Sequence, residues 1–393
     1  VARFAIVNNF FPPRASGSAH LSEAEAAGLV ERGHDVLVIT AAYGDLPATE
    51  KRDGYDIVRL PSWTLPKLKF AFNFDISFTL SPRNVRRLFD LLDEFSPDAI
   101  HQHGQFFDLT FMSSLYARRR RTPVLLSIHT RLESPSRPQN LVFALGDRTL
   151  VRFFMALSRP HVVVMDRLML GYITSRYAIP QDRLIPIPVG VDPNRFGAAD
   201  GDAVRKDLGV TGRPVVLSIG HVIPVRDRIT LVRAMAQVVE ARPDVVLVVV
   251  GGVYDDRFLD EADRLGIRGS VITTGPVPKE SIPGYVAAAD VETHDLDGYG
   301  LGTASLEVMA AGVPTIAGVA ADNFLGFELR NWEDVVLVRP GDHRQVADAI
   351  LRLLSEPGLA QKVASGQRQL IDRRFSTDII NDAQAEALAS ISR

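Results

Sequence analysis

From end to end this chain alternates short, β-branched apolar runs with segments of helical length, and that rhythm restricts it to an α/β fold. Candidate strands are Arg3–Val7, Val36–Thr40, Ile57–Leu60, Ala99–His103, Val124–His129, Val162–Met165 and Leu184–Ile187. A second series follows at Val215–Ile219, Val245–Val250, Val271–Thr274, Val291–Thr293, Thr315–Ala317 and Val335–Val338. Runs this continuously apolar suit strands covered on both faces, and strands separated by helices pair in parallel. The expected architecture is α/β, doubly wound. Ligands of such sheets sit beyond the carboxyl ends of the strands, so the residues that follow each strand are the first to search.

A chain of 393 residues exceeds a single comfortable core, so two domains are expected. Strand-like sequence stops between Val191 and Pro214, where a short charged helix over Asp202–Leu208 intervenes. The expected division is 1–195 and 196–375, two similar α/β halves with a cleft between them. A helix over 376–393 is expected to pack back on the first. The net charge of −3 argues against general affinity for nucleic acid, and the absence of cysteine removes disulfides, thiolate metal sites and cysteine nucleophiles. Val1–Val7 lacks the charged start, long apolar centre and cleavage site expected of a signal peptide, and the longest apolar run, Val245–Val253, is too short to span a bilayer. The expected location is the cytoplasm, with peripheral contact at the inner membrane face.

The most informative stretch runs from Asp297 to Pro314. Gly298, Gly300 and Gly302 precede a helix-like run in which Glu307 interrupts apolar neighbours. Free amides and the dipole at a helix start attract anions, and glycine lets the backbone approach a phosphate closely. Glu307 is placed to accept hydrogen bonds from sugar hydroxyls. Before the second strand series gets far, Gly220, His221, Arg226 and Arg228 follow the Val215–Ile219 strand, where an arginine fork suits phosphate oxygens. In the first half, Gly17 lies in the loop Phe10–His20 after the first strand. His101, His103 and His129 stand at or near strand ends, and Arg131 follows in a loop. His101 and His103 share parity and face one side of their strand; no acidic ligand array accompanies them in sequence, and no metal is expected. Arg118–Arg121 reads as a solvated helix end, and the aromatic and lysine mixture of Trp63–Phe72 as either an acceptor- or membrane-touching loop or a partly buried one.

Taken in order, these motifs make the chain resemble a glycosyltransferase of family 4, over Phe4 to about Leu354. Pro13-Arg14-Ala15-Ser16-Gly17 resembles the family's Pro-x-x-Gly-Gly loop with serine for the first glycine. Glu31-Arg32-Gly33-His34-Asp35-Val36 resembles its helix-to-strand junction, and Pro188-Val189-Gly190-Val191-Asp192 its Pro-Asn-Gly-Val-Asp signature. The cationic loop Gly-Arg-(x)4-Lys-Gly reads here Gly220-His221-(x)4-Arg226-Asp227. Arg226 is the match to the lysine, and His221 stands for the arginine, with Arg228 as compensation. The hallmark Glu-x7-Glu reads Tyr299-x7-Glu307, so its first glutamate is missing, with Asp295 and Asp297 just upstream.

The resemblance implies the GT-B fold: two Rossmann-like domains facing a cleft. It implies retaining transfer from a nucleoside-diphosphate sugar, of UDP or GDP type, to a hydroxyl acceptor, with no metal or other cofactor. Gly17, Gly220, His221, Arg226, Arg228, Gly300, Leu301, Gly302, Thr303 and Glu307 would bind the nucleotide and diphosphate. His129, Asp295, Asp297 and Tyr299 would face the donor sugar, and His103 and Arg131 the acceptor. His129, Arg226 and Glu307 would serve the chemistry. Substituting His221 for a permanent cation predicts phosphate affinity that strengthens toward acidic pH. A sugar-nucleotide epimerase and a non-catalytic nucleotide-sugar binder are the alternatives. A nicotinamide dehydrogenase is disfavoured, because Gly298-x-Gly300-x-Gly302 lacks the dinucleotide spacing.

Overall fold

The computed structural model describes residues 1–14, 16–65, 76–133, 136–197, 199–224, 226–293 and 295–392. They form two compact units. Unit 1 comprises Val1–Met165, Met169–Pro188 and Ile380–Arg393, and unit 2 Asp166–Leu168 and Val189–Ile379.

Unit 1 is built on an eight-stranded sheet. Its strands are β1 (Arg3–Asn8), β2 (Asp35–Ala41), β3 (Thr49–Arg52), β4 (Tyr55–Leu60), β7 (Ala99–His103), β8 (Val124–Ser127), β9 (His161–Val164) and β10 (Leu184–Pro186). Their order is β10-β9-β8-β7-β1-β2-β4-β3, parallel except for β3 against β4. Phe4–Val7 are wholly buried, as a strand covered on both faces requires. The helices are α1 (Gly17–Glu31), α2 (Pro82–Phe95), α3 (Asp108–Arg120), α4 (Arg137–Gly146), α5 (Arg152–Ser158) and α6 (Arg167–Tyr177). The last helix, α14 (Thr377–Ile391), packs Ile380, Ala385 and Leu388 into the cluster of Phe4, Ile6, Leu29 and Ile57.

Three strands escaped the sequence reading. β3 is a polar edge (Thr-Glu-Lys-Arg) whose charges pair with neighbours rather than bury. β5 (Trp63–Leu65) and β6 (Ile76–Phe78) form a separate antiparallel pair, with Trp63 stacked on Phe78. The segment expected to touch acceptor or membrane thus begins as a strand, and its remainder, 66–72, lies outside the described residues.

Unit 2 carries a six-stranded, all-parallel sheet in the order β13-β12-β11-β14-β15-β16. The strands are β11 (Val215–Ile219), β12 (Val246–Val250), β13 (Val271–Gly275), β14 (Val291–Thr293), β15 (Thr315–Ala317) and β16 (Val336–Leu337). Its helices include α7 (Gly201–Asp207), α8 (Arg228–Ala241), α9 (Arg257–Arg264), α10 (Ile282–Ala287), α11 (Thr303–Ala311), α12 (His343–Ser355) and α13 (Pro357–Arg374).

Strand order reverses direction once in each sheet, between β1 and β7 in unit 1 and between β11 and β14 in unit 2. A crevice forms where neighbouring connections depart to opposite faces, and α/β sheets bind ligands there. In unit 1 that point lies beyond Asn8 and His103; in unit 2 it lies beyond Ile219 and Thr293.

Candidate functional site

In unit 2 the reversal point is flanked by the loops that follow β11 and β14. Gly220 ends β11 with φ +123°, a conformation an L residue rarely adopts. A side chain there would meet the Arg226 guanidinium, 2.5 Å from the position a Cβ would take. Arg226 therefore lies against bare backbone. Arg228 opens α8 and is buried. Burial first, then the Arg226 charge, pull its pKa down to about 10, against the opposing pull of Asp295, Glu292 and Asp297. Two guanidinium groups and several carboxylates thus share this pocket of the fold.

His221 takes a different part. Its Nδ1 accepts from the Gly252 N–H at 3.0 Å, and its ring meets Tyr254 edge-on. With Nδ1 accepting, the exposed ring carries its hydrogen on Nε2.

The loop after β14 enters α11 through Gly300 (φ +100°) and Gly302, and no side chain of the cap residue Gly302 closes the helix start. Asp295 does so from upstream: its Oδ2 accepts from Gly302 N–H at 2.7 Å and from the Ser305 hydroxyl at 2.9 Å. The side chain expected to face the sugar is thus spent holding the loop. Asp297 accepts from Tyr299 N–H at 2.8 Å, and burial, reinforced by the Asp295 charge, raises its pKa. Tyr299 itself is exposed. Leu301 points into the core with Leu306, Met309 and Phe324, so only its backbone is available to a ligand. Thr303 is the first residue of α11.

Glu307 lies one turn into α11 and is held by Arg195, Nη1 to Oε1 at 2.6 Å. Burial raises the Glu307 pKa despite the charges of Arg195 and Lys279. Arg195 was not singled out from the sequence; it is 112 positions away, in the short turn that Asp192 caps.

In unit 1 the reversal point is built around histidines. The loop after β1 is tied down by Asn8, whose Oδ1 accepts from Phe10 N–H (3.1 Å) and whose Nδ2 donates to Ser22 Oγ (3.0 Å). Gly17 begins α1 beneath the Ser16 cap, and a side chain at Gly17 would meet nothing within 4 Å. No described residue crowds that position, and its backbone is open.

His101 and His103 do face one side of β7, and α1 brings Glu25 to both. His103 Nε2 lies 3.0 Å from Glu25 Oε2, and His101 Nδ1 bonds Glu25 Oε1. His101 Nε2 lies 2.8 Å from Ser127 Oγ, and His103 Nδ1 3.0 Å from His129 Nε2. Glu25, His101 and His103 are fully buried. Burial pushes the Glu25 carboxyl up, but His101 and His103 outweigh it and hold it at about 2. Burial, then the neighbouring His101, lowers His103, and burial with both histidines lowers His129 well below the usual range. A neutral imidazole donates from one nitrogen and accepts at the other, which fixes the chain of tautomers. His103 Nε2–H donates to Glu25, His103 Nδ1 accepts from His129 Nε2–H, and His129 Nδ1 is left as a lone pair. That atom is buried and has no hydrogen-bond partner among the described residues.

This arrangement revises two expectations. His103, assigned to the acceptor, is buried and has both ring nitrogens engaged, so it offers no free ring nitrogen to a ligand. An acidic partner for the histidines does exist: Glu25, whose ligand atom lies within 4.8 Å of those of His101 and His103. Both its oxygens are matched to ring nitrogens of the chain. The missed signal lay in periodicity, because Ala19, Ser22, Ala26 and Leu29 mark the buried stripe of α1 and Glu25 sits on it. Arg131, also assigned to the acceptor, lies 3.7 Å from Glu133 after β8.

The amino-acid sequence matches the model for "Glycosyltransferase Family 4" over residues 16–195 and that for "Glycosyl transferases group 1" over residues 201–370. It is 30% identical, over 80% of its length and 79% of the relative's, to a GDP-mannose-dependent alpha-(1-6)-phosphatidylinositol monomannoside mannosyltransferase of Mycolicibacterium smegmatis. The chain is a family 4 glycosyltransferase. The enzyme of the same name from Mycobacterium tuberculosis is 26% identical over 99% of this chain and 98% of the relative. Among solved structures, Anabaena HepE in complex with UDP and glucose superposes with TM-score 0.71 at 18% identity, covering 99% of this chain and 100% of that one. Sucrose-phosphate synthase from Thermosynechococcus elongatus gives TM-score 0.71 at 20% identity, covering 100% and 99%. The glycosyltransferase thus has the GT-B fold, and it transfers sugar from a nucleotide sugar to a hydroxyl acceptor.

Proposed function

We propose that this glycosyltransferase moves mannose from GDP-mannose, with retention of configuration, to a hydroxyl of an inositol-containing membrane phospholipid. The names of the mannosyltransferase relatives supply donor and acceptor. The observation that carries the site is that Arg226, seated on the bare backbone of Gly220, lies close enough to Asp297, at the glycine-rich entry to α11, for its charge to act on that carboxyl.

In this reading unit 2 holds the nucleotide. Arg226 and Arg228, with the His221 Nε2–H and the amides of Gly300–Thr303, receive the diphosphate, and Glu307 exchanges Arg195 for ribose hydroxyls. The bond between the sugar's anomeric carbon and the diphosphate oxygen breaks, and the cations hold the departing charge. The acceptor oxygen bonds to the same face, and its proton passes to the leaving diphosphate. The His129 lone pair accepts from a donor-sugar hydroxyl, and its neutral state suits that task. Tyr299 borders the sugar where the family carries glutamate, and Asp297 is the nearest carboxylate left to replace it. Arg131 is assigned to the acceptor and Gly17 to the phosphate. Unit 1 and unit 2 are thereby assigned the acceptor and donor roles. The lack of cysteine agrees with work at the cytoplasmic face of the membrane.

Incubation with labelled GDP-mannose and a phosphatidylinositol mannoside in detergent micelles tests the reading. The product expected is an α-mannoside. A β-linked product would remove retention, equal turnover of UDP-sugars would remove the donor assignment, and transfer to free sugars alone would remove the lipid. Conversion of the nucleotide sugar without any acceptor would favour an epimerase.

A further inference from the structure

Unit 1 displays an apolar stripe in an unusual place. Over α4, the π-helical turn Asp147–Val151 and α5, the side chains of Leu141, Val142, Leu145, Leu150 and Phe153 are more than half exposed, Leu141 and Leu145 at 71% and 62%. No residue of α4 is buried. The spacing of these residues places them along one helical face.

The opposite face is firmly anchored. Asp147 is buried and accepts from the Tyr172 hydroxyl at 2.6 Å and the Tyr177 hydroxyl at 2.8 Å. Val151 and Met155 are buried, and Phe154 stacks on Phe111 of α3 with centroids 4.4 Å apart. The segment is therefore held with its apolar side outward.

Cations flank the stripe. Arg137, Arg148 and Arg152 are exposed and pair with no acid among the described residues. Beside the carboxyl end of the segment, Arg152, Arg159 and Arg183 with Pro160 and Pro180 line an open cavity of about 290 Å³. The one acidic residue of the segment, Asp147, is the buried anchor. Exposed aliphatic and aromatic groups interleaved with uncompensated arginines match the boundary between acyl chains and anionic headgroups.

We propose that the face of residues 137–159 is a membrane-docking surface that seats unit 1 on an anionic phospholipid bilayer. Leu141, Val142, Leu145, Leu150 and Phe153 enter the acyl boundary, and the cavity of Arg152, Arg159 and Arg183 receives a headgroup phosphate. The purpose of this docking rests on the lipid-acceptor reading; the surface itself rests on the exposed stripe and its arginines.

Sedimentation with phosphatidylcholine vesicles, with and without phosphatidylglycerol, tests it. The full chain is expected to pellet with the anionic vesicles only, less so as salt is raised. The double variants Leu145→Asp/Phe153→Asp and Arg148→Glu/Arg152→Glu should each weaken that binding about tenfold or more, with circular dichroism unchanged. Both variants should keep their rate on acceptor dispersed in detergent. Unaltered vesicle binding in both variants would overturn the proposal. So would a wild-type dimer in light scattering that Leu145→Asp/Phe153→Asp makes monomeric, because a second copy would then cover the face. Complete release of vesicles by millimolar inorganic phosphate would reduce the cavity to a free-anion site and also overturn it. Vesicle binding that depends on the stripe, without any lipid mannosylation, would sink the acceptor reading and leave the surface standing.

Discussion

His103 Nδ1 lies 3.0 Å from His129 Nε2, with the rings stacked within 10° of parallel, and His103 passes the constraint back to the buried Glu25. The carboxylate thus determines which nitrogen of His129 is left as a lone pair.

Glu25→Gln separates this positioning role from ligand contact. Gln has one accepting oxygen where two ring N–H groups need one each, and a desolvated donor left without a partner costs about 1–3 kcal/mol. The expected result is a fall in kcat of about ten- to a hundredfold with little change in the KM for nucleotide sugar. Nitrogen chemical shifts of the imidazoles should report a changed His129 tautomer. A normal kcat with altered tautomers would show that the relay does not serve catalysis.

The same cluster sets a pH dependence of stability. His103 and His129 have folded pKa values below the unfolded value of 6.5, so the unfolded chain binds more protons below that point. Stability is then lost as pH falls from 6.5, by up to about 1.4 kcal/mol per pH unit for each group. The depressed Glu25 acts in a lower window: its contribution is complete above 4.5 and disappears as pH falls through about 2. Urea unfolding of the wild type and His129→Gln between pH 7 and 5 should give slopes that differ by about one such group. Equal slopes would contradict the assigned neutrality of His129.

Gly220 and Arg226 form the second testable pair. Gly220→Ala puts a methyl against the guanidinium and demands a strained φ, so it should lower kcat along with Arg226→Ala. Loss of a preorganised charge contact to a leaving group costs about a hundred- to a thousandfold in kcat. Arg226→Lys, with the charge kept, should recover part of it. A Gly220→Ala enzyme with wild-type kcat would remove the Arg226 seat from the account.

Tyr299→Glu restores the residue the family carries there. Tyr299 is exposed, so the change should leave folding intact and alter the ranking of donor sugars in competition assays. An unchanged ranking would show that this position does not read the sugar.

What could be read in the sequence followed physical range. Parallel strands announce themselves because both faces are buried, so Phe4–Val7 and Val246–Val250 are plain as text, whereas the polar edge Thr49–Arg52 is not. The two glycine turns of unit 2 were visible because positive φ leaves a mark on residue type: Gly220 and Gly300 are where the backbone needs them. Partnerships were not visible. Glu25 meets His101 across 76 positions, Arg195 meets Glu307 across 112, and Asp295 spends its carboxylate on Gly302 and Ser305. Each of these changes a role assigned from residue type alone.

Calorimetric titration of GDP into the wild type, Glu307→Ala and Arg226→Ala tests the nucleotide site most directly. Charged hydrogen bonds to a ligand contribute about 1.5–3 kcal/mol each, so each variant should bind GDP at least about tenfold more weakly than the wild type. Affinity for wild type should also fall as pH drops through the raised pKa of Glu307, since the ionised carboxylate is the stronger acceptor for ribose hydroxyls. Equal GDP affinity in all three proteins, with the fold intact, would contradict the placement of the nucleotide on α11 and Arg226.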